Sequence, residues 1–278
     1  MKTTATLSPS FKQHHSLGLR VLILLLPLLL LAAGCGQDGG GRPSDRELAV
    51  KKARQELEAR RIPFNFAAFV SCVGDGDAKA VGFFLLAGMD ANTEDALALA
   101  ALMGHTEIIT NLLAHGASVD GESAKRGRTP LMATTNTAIA EILLRHGANV
   151  NAKDKHAMTP LMNGVAQRNQ DKVRLLIEHG ANVNDSNDLG GTALMTAAVL
   201  GQFEILQLLL ASGARINQQD NNGRTALMYA CGNTTDNALS CVEFLGKKGA
   251  DMTIRDRDGQ TASDHVEAAM KALARRRK

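Results

Sequence analysis

Apolar residues fall along the chain in three different patterns. The first is an unbroken run from Val21 to Ala33, interrupted only by Pro27. The second is a charged stretch from Ser44 to about Arg61, whose thin apolar stripe at Val50, Ala53 and Leu57 has the spacing of one helix face. Ser44-x-x-Glu47 at its start has the form of a capping box. From about Phe64 onward, short apolar segments alternate with a polar phrase that keeps returning. It reads Gly116-Ala-Ser-Val-Asp120, Gly147-Ala-Asn-Val-Asn151, Gly180-Ala-Asn-Val-Asn184, Gly213-Ala-Arg-Ile-Asn217 and Gly249-Ala-Asp-Met252, with Gly88-Met-Asp90 as a degenerate first copy. The glycines are 28, 31, 33, 33 and 36 residues apart. A Leu-rich segment precedes each Gly, and further upstream stands Thr-Pro/Ala-Leu-Met, at Thr129–Met132, Thr159–Met162, Thr192–Met195 and Thr225–Met228. Self-similarity at such a period marks a repeat architecture. Each unit predicts a Thr-capped helix, a second helix closed by Gly, and an extended arm with a turn at its tip.

These phrases resemble the ankyrin repeat, whose period is about 33 and whose hallmark is Thr-Pro-Leu-His. The resemblance implies an all-α solenoid of helix-turn-helix units joined by hairpins. It covers residues 63–278 as six repeats, ending near Asn92, Asp120, Asn151, Asn184, Asn217 and Met252, plus a C-terminal cap from Gly259. Residues 44–62 are expected to form an N-terminal capping helix. Two repeats depart from register. Thr129 to Gly147 is 18 residues where repeats four and five have 21, so the first helix or the inter-helix turn of repeat three must be cut. Thr225 to Gly249 is 24, which places an insertion near Asn233–Asn237.

The N-terminal run is too short for a spanning helix, which needs about 20 apolar residues, and has the length of a secretory core. Ala32-Ala33-Gly34-Cys35 resembles the lipobox of bacterial lipoproteins. That implies a signal peptide over 1–34, lipid on Cys35 and a Gly-rich tether over 35–43. Several acyl chains on one residue anchor stably where one does not. Gly36 after the Cys, where Asp would mark inner-membrane retention, implies the outer membrane, facing the periplasm.

Cleavage changes the charge picture. The formal net charge is +3, but loss of Lys2, Lys12 and Arg20 leaves 28 basic and 28 acidic residues. A neutral chain with 3% aromatics and no Trp lacks both the basic excess and the stacking faces of a nucleic-acid binder. No His-Glu-x-x-His, Gly-x-Ser-x-Gly or Cys-x-x-Cys occurs, so neither an enzyme nor a cofactor is expected. Met132, Met162, Met195 and Met228 stand where the family has His and are expected to pack between helices rather than bind copper(I). His115, His146 and His179 each precede a helix-ending Gly. A repeat apart, roughly 10 Å, they are too distant to share a metal and are expected to act as donors at helix C-termini. Phe64, Phe66, Phe69, Phe83 and Phe84 are expected to form the core under the capping helix. Cys231 and Cys241 face one repeat core and form a candidate disulfide in an exported protein.

In ankyrin proteins the tips and the ends of the first helices bind other proteins. By register, the resemblance implies contacts at Lys125, Arg126 and Arg128; Lys155, His156 and Met158; Asp188 and Leu189; Val199 and Leu200; and Asn221, Asn222 and Arg224. The expected function is a non-catalytic, monomeric, lipid-anchored scaffold that binds an unidentified protein. The alternative is a structural envelope protein touching anionic lipid or polymer through its basic tips and tail.

Overall fold

Each repeat is built around a Thr that stops one chain direction and starts the next. Thr129, Thr159, Thr192 and Thr225 have extended backbones, and their hydroxyls accept from the backbone N–H three residues on, at 3.3–3.4 Å. This satisfies one of the donors that every helix start leaves open. The computed structural model describes residues 44–121, 127–232 and 236–276. It is helical; among the described residues there is no strand, only an isolated bridge between Ser186 and Thr192.

Helix α1 (Asp45–Ala59) precedes the repeats. Six helix pairs follow: α2 (Phe66–Asp75) with α3 (Ala78–Leu86), α4 (Ala96–Met103) with α5 (Thr106–Ala114), and α6 (Pro130–Ala133) with α7 (Thr137–Arg145). Next come α8 (Pro160–Ala166) with α9 (Gln170–Glu178), α10 (Ala193–Val199) with α11 (Phe203–Ala211), and α12 (Ala226–Cys231) with α13 (Asp236–Lys247). Helix α14 (Ala262–Arg276) closes the series. First helices stack on first helices, and α1 packs on α3 through its buried Ala53 and Leu57. One continuous apolar core runs through all the repeats. Met162, Met195 and Met228 are buried in it, and Met132 is fully buried as well. Of the N-terminal phenylalanines, Phe69 and Phe84 are fully buried and meet edge-on, and Phe64 stacks on Phe84 beneath Arg54. Phe66, on the first turn of α2, and Phe64 are both exposed, so the aromatic core is smaller than the cluster of five suggests.

The recurring Asn of the arms links neighbouring repeats. The side chain of Asn151 accepts from Asn182 N at 2.8 Å and donates to Gly180 O at 3.2 Å. Asn184 does the same to Arg215 N and Gly213 O, and Asn92 to Ser118 N and Gly116 O. An amide is suited to this place because it donates and accepts at once. Asp120 and Asn217 supply the accepting half, to Asn149 N and Asp251 N.

In repeat three it is the first helix that is cut, since α6 has four residues. The carbonyls left behind are met by side chains of repeat four. Lys172 Nζ donates to Thr134 O at 2.5 Å and Asn169 Nδ2 to Thr135 O at 2.7 Å. Gln167 Nε2 donates to Met132 O at 3.4 Å. Lys172 is fully buried, in the register position that holds Ala80, Ile108, Ile139, Ile205 and Cys241 in the other repeats. Its pKa is lowered from 10.5 to about 7, by burial first and by the Arg128 guanidinium second. In repeat six α13 is a turn longer than the nine-residue second helices before it.

Candidate partner-binding surface

The tips are shaped by one acidic or amide side chain each. Asp154 Oδ1 accepts from the backbone N–H of His156 and Met158, both at 2.9 Å. Asn187 Oδ1 accepts from Leu189 and Gly191, Asp220 Oδ1 from Asn222 and Arg224, and Asp256 Oδ1 from Asp258 and Gln260. These short side chains hold a turn by bonding to their own backbone two and four residues on. Consecutive tips then bond to one another. Asp188 N donates to His156 O at 3.1 Å, Asn221 N to Leu189 O at 3.0 Å, and Arg257 N to Asn222 O at 2.8 Å. The result is a hydrogen-bonded row of tips from repeat four to the last helix. Gly190 makes the approach possible, because at φ +77° a Cβ there would lie 2.6 Å from Asn221 N.

Two residues missed by the sequence register brace this row from the first helices. Tyr229 donates from its hydroxyl to Asp220 Oδ2 at 2.6 Å, and its pKa is pushed up to about 12 by burial and by that carboxylate. His265 Nε2 lies 2.9 Å from Asp256 Oδ2. Burial opposes ionisation of Asp256, but bonds from Gln260 N, His265 and Asp258 N outweigh it and hold the carboxyl below its ordinary range. Both residues stand four after the Thr of their repeat, and that spacing was the available signal.

The tip register does not give the expected contacts one common role. Lys125 and Arg126 lie outside the described residues, as does Cys35. Arg128 is half-buried and turns inward, donating to Asn163 Oδ1 at 2.5 Å and Met132 O at 3.5 Å. Arg224 lies 3.6 Å from Asp256 and 4.0 Å from Asp258. Asn221 donates to Asp188 O as well as to Leu189 O, and Asn222 accepts from Arg257, so both serve the row itself. Met158 is half-buried with Asn187 Nδ2 3.5 Å from its sulfur, and Leu200 is half-buried. Lys155, His156 and Asp188 are exposed, the last two 4.0 Å apart. Leu189 is 70% exposed at its tip and Val199 42% exposed at the end of α10.

On the opposite side, His115, His146 and His179 each set Nδ1 2.8 Å from the carbonyl four residues back, at the end of a second helix. Among the described residues there is no group of three metal-binding side chains. Cys231 and Cys241 are free, buried thiols in this structure, each pushed up to about 11 chiefly by burial.

A family model for ankyrin repeats (three copies) matches residues 67–154, 135–220 and 185–256. The chain belongs to the ankyrin repeat family. Among ankyrin repeat proteins it is 34% identical over 137 residues to an ankyrin repeat-containing protein of Treponema pallidum (strain Nichols). That match spans 46% of this chain and 46% of the relative's length. The crystal structure of an ankyrin repeat domain from Acinetobacter baumannii AYE is similar at 34% identity and a TM-score of 0.58, covering 63% of this chain and 91% of that domain. Ankyrin repeat proteins are generally non-catalytic scaffolds for protein–protein interaction.

Proposed function

We propose that this ankyrin solenoid is a lipid-anchored scaffold that holds a partner protein on the periplasmic side of an envelope membrane, through the face made by its tips and first helices. The observation that carries the contact face is the exposure of Leu189 and Val199 beside a row whose polar groups are largely engaged with each other. Apolar side chains held on a rigid frame lose little freedom on binding, which favours them as anchors. Arg128 and Arg224, both bonded within the solenoid, are framework rather than contact residues in this reading. Anchoring rests on the lipobox-like sequence ending at Cys35 and on the Gly-rich stretch after it.

The test is crosslinking of the tagged full chain in its native cells, followed by purification from membranes. A Leu189→Asp/Val199→Asp variant is run beside it. A specific protein recovered with the native chain and lost with the variant is the expected result. Equal recovery with both, or no protein at all, refutes the contact face. A Cys35→Ala variant is expected to leave the membrane fraction, and its retention there would refute the lipid anchor.

A further inference from the structure

The last repeat carries an apolar face that every earlier repeat covers. Seven residues before the Gly that ends each second helix stand Val81, Ile109, Ala140, Val173 and Leu206, all at 0% exposure. The sixth member of the series, Val242, is half-exposed. Ten residues before that Gly, Phe203 of repeat five meets Phe244 of repeat six edge-on, with ring centroids 5.5 Å apart. The same place in repeat six is Leu239, 60% exposed. Three residues after the Gly, the earlier repeats hold buried or half-buried side chains, and repeat six has Met252 at 55%. The first helices agree. Five residues after the Thr, Thr134, Ala197 and Ala230 are fully buried, while Val266 on α14 is 42% exposed, with Met270 one turn on at 62%. Leu239, Val242, Met252, Val266 and Met270 thus mark the surface against which the second helix of one more repeat would pack. Among the described residues nothing covers it.

The charges beside this surface select what fits. On α13, Glu243 precedes Lys247 by one turn and pairs with it at 2.6 Å. On α14, Asp264 and Glu267 precede Lys271, with Glu267 and Lys271 paired at 2.5 Å. In both helices the acid comes first and the base follows. A helix of the same charge order laid parallel would set like against like, whereas laid antiparallel it sets acid against base. A two-fold axis produces that antiparallel match from two identical surfaces. We infer that this end face binds a second copy of the chain, with α13 against the α13 and α14 against the α14 of that copy. Apolar contact supplies the attraction, and the crossed Glu243 and Lys247 contacts set the orientation. The inferred assembly is a tail-to-tail dimer, where the sequence led to the expectation of a monomer.

The test uses the full chain, co-expressed with two different tags and extracted from membranes in mild detergent. Capture on one tag is expected to recover the other. Leu239→Glu with Met252→Glu is expected to abolish that recovery. Glu243→Lys and Lys247→Glu change only exposed side chains and shift thermal unfolding followed by circular dichroism only slightly and by similar amounts, since each breaks the same exposed i,i+4 pair. Each alone is expected to lower recovery of its own copy about two- to fivefold, the size of a few exposed charge contacts. With one tag on Glu243→Lys and the other on Lys247→Glu, recovery returns, because the mixed pair restores opposite charges. Tags that never co-purify, co-purification indifferent to Leu239→Glu/Met252→Glu, or a mixed pair no better than either single variant would each overturn the inference. So would a different protein held at this face in place of the second copy.

Discussion

Replacing Lys172 by methionine should make the protein more stable at pH 6 and less stable at pH 10. The Lys172 ammonium lies at the centre of the repeat three–four junction with no carboxylate among its partners. Thr134 O and Gln167 Oε1 accept from it, and the Arg128 guanidinium adds like charge. A fall in pKa from 10.5 to about 7, at about 1.4 kcal/mol per pH unit, corresponds to a cost of at most about 5 kcal/mol for the protonated folded form. The sign follows from linkage. Below pH 7 the lysine is protonated folded and unfolded, and the full cost is present. Between about 7 and 10.5 the unfolded chain binds more protons, so stability rises with pH. Methionine removes the charge but leaves Thr134 O without its donor, a loss of about 1–3 kcal/mol. The variant should therefore gain about 2–4 kcal/mol at pH 6, and by pH 10, with about 4 kcal/mol recovered by the native chain, fall slightly below it. Urea unfolding of both chains followed by helical circular dichroism, at pH values from 6 to 10, measures the difference, in which all other titrations cancel. Lys172→Ile, the residue of three other repeats at this place, should behave alike. A difference that does not change with pH would refute the reasoning, because it would mean that the amine titrates alike folded and unfolded.

Asn184→Ala removes one acceptor and one donor between repeats four and five and should lower stability by about 1–3 kcal/mol, whereas Asn184→Asp, which keeps the acceptor, should lose less; urea midpoints separate the two. Gly190→Ala combines a left-handed backbone with a Cβ 2.6 Å from Asn221 N, and should cost about 1–3 kcal/mol and free the amide of Asn221, read as faster hydrogen exchange there than in the native chain. In a Cys35→Ala/Cys72→Ala chain, Cys231 and Cys241, buried and pushed up to about 11, should react with a thiol reagent at pH 8 only after denaturation; two thiols titrating in the folded chain would refute their burial, and none in the unreduced, denatured chain would reveal the candidate disulfide.

The repeat register was legible because its signals are local. A Thr at a helix start, a Gly at a helix end and an Asn in the arm each do one job within a few residues of themselves, so the recurrence of all three reports the solenoid directly. The donors at His115, His146 and His179 follow from the same kind of locality. What was not legible depends on contacts about one repeat away. Arg128 stands at a tip position by register, but its guanidinium is taken up by Asn163 in the next repeat. The 18-residue spacing of repeat three is compatible with a shortened helix or a shortened turn, and the choice rests on what can cap the exposed carbonyls. Lys172 is the one charged residue in an otherwise apolar register position, a signal missed in the sequence, and only the truncated α6 explains why a lysine belongs there.

That lysine also shows why this junction buries an ammonium group, where the next one uses the neutral amide of Gln202 on Val165 O. In a solenoid each interface carries its own share of stability, so a local defect is not averaged over the whole fold. Losing one helical turn from α6 uncovers carbonyls at the junction. An apolar residue at 172 would bury Thr134 O without a donor, a loss of about 1–3 kcal/mol at the backbone. Lysine reaches across and satisfies it, at the cost of a buried charge. The directional bonds from Lys172, Asn169 and Gln167 then fix how repeat four sits on repeat three, a register that apolar packing alone would leave free to slide. Among the described residues the row of bonded tips runs from His156 to Arg257. The proposed contact residues Leu189 and Val199 and the end face on α13 and α14 therefore lie on one framework, whose orientation to the N-terminal repeats is held by a polar joint.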